Sequence, residues 1–96
     1  MTRGLSERQR RTLALLHVAR RPLEAGELLA LLGDEPTPSS RRSLLRALRL
    51  LADRGLVELE RRPSPRGGHP RLFASAVPGA EGELRGRDLQ RARDGG

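Results

Sequence analysis

Cysteine, lysine, tryptophan and tyrosine are all absent from this 96-residue chain, and Phe73 is its only aromatic residue. Without cysteine there is no disulfide framework, no thiolate metal site and no thiol redox switch, and the redox compartment is left undecided. With one aromatic ring, the core has to be aliphatic, and the stacking platforms that hold single-stranded nucleic acid are missing. No apolar run approaches the roughly 18 residues of a membrane span, and the first residues carry no signal-peptide core. A soluble, cytoplasmic protein is the expectation. The missing lysine matters less than it first suggests, because leaving lysine out even of loops is what codon bias toward high G+C produces.

Hydrophobic residues make up 35% of the chain, and leucine supplies most of them, enough for one modest core and one domain. All 19 basic residues are arginine, and the net charge of +7 and pI near 11.7 point to a polyanionic partner. The charge is unevenly spread. Residues 22–36 hold Glu24, Glu27, Asp34 and Glu35 and no basic residue, a net −4, whereas residues 37–54 hold five arginines and Asp53, a net +4. A polyanion should meet the second of these stretches and avoid the first.

Both ends of a helix over residues 38–54 are legible. Thr37 can cap it, Pro38 suits the first helical position, and Gly55 suits the left-handed residue that ends a helix, with Leu56 folding back onto Leu51. At 100° per residue, Leu44, Leu45, Leu48, Leu51 and Ala52 fall on one side, and Arg42, Arg46, Arg49 and Asp53 on the other. A solvated helix face ordinarily mixes charges of both signs. Here the arginines repel one another until an anion arrives.

Before this helix, Ser6 and Gln9 have capping-box spacing and should start a first helix that Pro22 ends by residue 21. Arg8, Arg10 and Arg11 in its first turns oppose the helix dipole, which suggests phosphate contacts or solvated charge more than a stabilising role. His17, one turn after Leu13, fits a partly buried structural imidazole. Residues 22–23 read as an extended link, and residues 24–32 as a short helix with Leu28, Leu29, Leu31 and Leu32 inward and Gly33 as terminator.

After it, residues 56–62 alternate as a strand, with Val57 and Leu59 on one face and Glu58 and Glu60 on the other. Three prolines and two glycines break the next eight residues, and residues 71–77 return as a second strand. The hairpin tip carries Arg61, Arg62, Arg66, His69 and Arg71. Residues 78–96 are neutral overall, and glycines at 79, 82 and 86 weaken any helix there, so a flexible or weakly helical tail is expected after a domain of residues 1–77.

Three helices and a two-stranded hairpin, mostly α, with the third helix and the hairpin tip both basic, resemble the winged helix-turn-helix family over residues 6–77. The junction Leu48-x-x-Leu51-x-x-x-Gly55-Leu56-Val57 is similar to that of bacterial regulators of the MarR and PadR type. The resemblance implies double-stranded DNA binding, with the third helix in the major groove and the wing on the backbone or minor groove. Carried over, Ser39, Ser40, Arg42, Ser43 and Arg46 are the base-contact candidates. Arg49 and Arg54, with Arg62, Arg66, His69 and Arg71 of the wing, are the backbone candidates.

The resemblance also implies a transcriptional regulator acting as a homodimer on pseudo-palindromic sites, for which Leu5 and Leu50 could seed a small interface. The competing class is a winged helix used as a protein-interaction or architectural module of a larger assembly, since fold alone does not settle function. An enzyme is the least expected class. His17 and His69 fall in separate elements with no serine or carboxylate constellation around them, and neither a catalytic residue, a metal site nor a cofactor is foreseen.

Overall fold

The third helix is built as its sequence specifies. In the computed structural model, which describes residues 4–94, it runs Pro38–Asp53 (α3). Residues 1–3 and 95–96, the outer ends of the two expected units, lie outside the described residues. The Thr37 hydroxyl accepts from the Ser40 N–H at 3.1 Å, and Pro38 occupies the first turn. At the other end Gly55 takes φ +73°, its N–H donates to the Ala52 carbonyl, and the Leu56 N–H donates to the Leu51 carbonyl, both at 2.9 Å. These are the two bonds of a Schellman ending, which favours a residue without a Cβ at the left-handed position.

Around it, the chain order is α1 (Glu7–Ala19), β1 (Leu23–Glu24), α2 (Ala25–Leu32), α3, β2 (Val57–Arg62), β3 (Arg71–Ala76), a 3-10 turn (Ala80–Glu83) and α4 (Gly86–Arg93). The winged-helix architecture expected from the sequence is present, mostly helical with a small antiparallel sheet. That sheet has a third strand: its order is β1-β3-β2, with Leu23 opposite Ala74 and Glu24 opposite Phe73. Leu23 of the expected link and Glu24, expected to open the second helix, therefore form a strand, and two residues are too few to show alternation in a sequence. No helix among the described residues is long and apolar enough to cross a membrane.

The core is aliphatic, as one aromatic requires. Leu13, Leu16, Leu23, Leu28, Leu29, Leu44, Leu48 and Leu51 are all buried, drawn from α1, β1, α2 and α3, and Val57 and Ala74 close it from the sheet. Two leucines depart from the expected pattern. Leu31 is exposed, and Leu45 is only half-buried, because Ala47 takes the core position beside Leu44, Leu48 and Leu51. The mean direction of those four leaves Leu45 about 100° round the axis. Leu5, considered for an interface, is instead buried in the core.

Helix α1 starts at the foreseen capping box, with the Ser6 N–H donating to Gln9 Oε1 at 2.9 Å and the Gln9 N–H donating to Ser6 Oγ at 3.2 Å. It stops at Ala19, and Arg20 takes the left-handed φ of 55° two residues before Pro22. Each arginine of its first turns finds a partner within the fold, which the sequence does not show. Arg8 forms a hydrogen-bonded ion pair with Asp34 in the α2–α3 link, Arg10 donates to the Leu5 carbonyl at 2.7 Å, and Arg11 donates to the Leu32 carbonyl at 3.3 Å. The partners of Arg8 and Arg11 are distant in sequence, so dipole reasoning on one helix could not reveal them. Arg11 also supplies a cation to the carbonyl end of α2, where it is favourable.

Beyond Pro78, where glycine suggested fraying, the 3-10 turn and α4 lie against α1. Ala80 is buried, Leu84, Leu89 and Ala92 are half-buried, and Arg91 reaches Glu7 at 3.2 Å. His17 is half-buried with Glu81 3.8 Å from its Nδ1. At the start of α2, the Arg21 guanidinium bonded to Glu27, with the Glu24 N–H, holds the Glu27 carboxyl below the usual carboxylate range. That pair stabilises above the ordinary glutamate pKa, and the contribution is lost as pH falls through the lowered value. Leu48→Ala empties a fully buried site between the helices and should lower the unfolding free energy by about 2–5 kcal/mol in urea titrations.

Candidate nucleic-acid interface

Burial of Leu44, Ala47, Leu48 and Leu51 turns the opposite side of α3 outward, and Arg42, Arg46 and Arg49 are exposed along it. With Leu45, Leu50 and Asp53 they line a shallow groove of about 420 Å³. Leu45, which helical periodicity places on the core side, joins the groove because Ala47 rather than Leu45 completes the buried stripe. Among the described residues none of Arg41, Arg42, Arg46, Arg49 or Arg54 has an ion-pair partner, although Asp53 stands one turn after Arg49. The cations are therefore not ion-paired, and they share one surface with two leucines and Asp53.

The serines near the start of α3 differ from one another. Ser39 and Ser43 are exposed. Ser40 is half-buried, its backbone N–H donates into the cap, and its Oγ accepts from the Thr37 hydroxyl at 3.0 Å. Its first duty is to the helix end.

The wing is β2 and β3 with a tip between them. Along the sheet, Val57, Leu59, Ala74 and Ala76 face the core, and Glu58, Glu60, Arg62, Arg71 and Phe73 share the outer face. The lone aromatic is thus outside the core. Register sets Arg62 directly opposite Arg71, a like-charge pair that would open the neck of the wing if left alone. Each is compensated. The Arg62 guanidinium lies 4.4 Å from the Phe73 ring centroid and bonds Glu60 at 3.0 Å, while Arg71 approaches Glu24 of β1 at 3.7 Å.

Arg66 and His69 sit further out and are exposed. Between them Gly67 and Gly68 both take positive φ, 76° and 89°, and the Gly67 N–H closes a turn on the Ser64 carbonyl at 3.0 Å. Ser39, Ser43 and Arg54 are exposed, and the fold separates the other sequence-chosen residues into three groups. Arg42, Arg46 and Arg49 share the α3 groove and Arg66 and His69 the exposed tip, whereas Ser40, Arg62 and Arg71 have structural partners.

The sequence matches no protein-family model and no curated protein. The fold does have a solved counterpart: the crystal structure of a transcriptional regulator of the MarR family from Rhodococcus sp. RHA1 superposes with a TM-score of 0.62 at 16% identity. The match covers 95% of this chain and 57% of that one, so this chain spans little more than half of that regulator's length. At such identity the likeness establishes the winged-helix fold.

Phe73→Leu keeps apolar volume but removes the π face under Arg62, leaving two arginines opposed at the neck. It should cost about 0.5–1 kcal/mol of stability in urea unfolding, and an unchanged midpoint would show that the stacking contributes nothing.

Proposed function

We propose that the protein is a double-stranded DNA-binding transcriptional regulator that inserts the N-terminal half of α3 in the major groove. The observation that carries this is the row of Arg42, Arg46 and Arg49 on one exposed groove without acidic partners among the described residues, in a chain whose other arginines include several paired with acids. Guanidinium groups suit guanine edges and phosphates alike, and a row of unpaired cations gains most from releasing the counterions of a duplex. The winged-helix fold shared with a transcriptional regulator supports the same reading.

In this proposal Ser39, Arg42, Ser43 and Arg46 reach base edges, and Ser40 contributes mainly through its cap. Arg49 and Arg54 hold phosphates on either side. Arg66 and His69 lay the wing tip on the backbone or minor groove, and Arg62 and Arg71 brace its neck and offer only their remaining N–H groups. The protein acts in the cytoplasm, as a homodimer on pseudo-palindromic sites.

Selection from a random duplex library, with light scattering for mass, tests the reading: a palindromic winner and a dimeric mass are expected. No enriched sequence would count against sequence reading and favour a protein-partner role. On the selected site, Arg42→Ala or Arg46→Ala should cost about 1–3 kcal/mol and relax preference at one position, whereas Arg66→Ala should weaken all sequences alike. If about 5 phosphates are neutralised, affinity for random duplex should fall with salt at a log–log slope near −4.5. Arg42→Ala with unchanged affinity and preference would overturn the assignment of α3.

A further inference from the structure

The groove on α3 does not exhaust the cationic surface. A second cleft, of about 310 Å³, opens between the start of α1 and α4, and it is lined by Glu7, Arg10, Arg11, Arg87, Asp88 and Arg91. Four guanidinium groups against two carboxylates leave it a net +2. Both acids are already engaged: Asp88 Oδ2 accepts the Arg85 N–H at 2.8 Å, and Glu7 Oε1 accepts from Arg91 at 3.2 Å.

The arginines are held but not saturated. Arg10 is anchored through Nη1 to the Leu5 carbonyl and Arg11 through Nη2 to the Leu32 carbonyl, which fixes their heads beside the cleft. Arg10 Nε is buried with no hydrogen-bond acceptor, the nearest Asp88 oxygen standing 3.6 Å away. Arg87 is exposed and has no ion-pair partner among the described residues. A buried guanidinium N–H without an acceptor is costly, and prefixed donors around a cleft of excess positive charge suit a compact dianion.

We propose that this cleft binds a small phosphorylated dianion, a phosphomonoester whose phosphoryl oxygens accept from Arg87, Arg91 and Arg10. The charge of such a group matches the +2 of the lining, and its oxygens supply the acceptors that the two engaged carboxylates do not. The site is separate from the α3 groove and shares no residue with it. It stands whether or not α3 reads DNA.

The test is calorimetric titration of the full chain with glycerol phosphate at constant ionic strength and about pH 7.5, where the ester is a dianion. A saturable isotherm with one site per chain is expected. Arg87→Ala should weaken it about tenfold, the loss of one charge-assisted contact, while Arg42→Ala leaves it unchanged. The same two variants titrated with duplex separate this proposal from the DNA reading, since Arg87→Ala should keep duplex affinity and Arg42→Ala should lose it. Absence of saturation, full binding by Arg87→Ala, or equal weakening by Arg42→Ala would overturn the site, the last showing that the ester follows net charge alone.

Discussion

Burial of one stripe of α3 is the constraint on which the rest depends. Leu44, Ala47, Leu48 and Leu51 are the contribution of that helix to a core made almost wholly of leucine. Because the stripe must face α1, α2 and the sheet, the opposite face has no choice of direction, and it is the face that carries Arg42, Arg46 and Arg49. A core without large rings leaves little room for error in this orientation, since each leucine that leaves it forfeits about 1.5–3 kcal/mol of burial.

The second organising fact is where the acids go. Asp34 takes Arg8, Glu27 takes Arg21, Glu60 takes Arg62, Glu24 takes Arg71, Asp88 takes Arg10 and Glu7 takes Arg91. The exposed pairs among these, such as Arg21–Glu27 and Arg91–Glu7, are each worth little in stability. Their collective effect is on charge distribution, because the acids pair with arginines on α1, the α1–β1 link, α4 and the wing neck and, among the described residues, with none on α3. Unpaired charge is then left on the α3 groove and the wing tip, and on Arg87 at the α1–α4 cleft.

Much of this was legible from sequence, and the parts that were not share a cause. Local rules found the Ser6 capping box, the Thr37 cap with Pro38, the Gly55 ending and the alternation of β2, because each depends on residues within a few positions of one another. Features that need a distant partner escaped. Leu23 and Glu24 become a strand only when β3 is beside them, Arg8 and Arg11 find partners only when the end of α2 reaches them, and α4 holds its place through α1. In the candidate site, the arginines were found by helical periodicity. That Arg62 stacks on Phe73 and Arg71 meets Glu24 follows from sheet register, which the proline-broken tip concealed.

The measurement closest to the central claim is amide chemical-shift mapping of the full chain during titration with duplex DNA. The largest changes should fall in the first half of α3 and at the wing tip, with α2 and the outer side of α4 nearly silent. Changes centred on α4, with the amides around Arg42 and Arg46 unmoved, would contradict it.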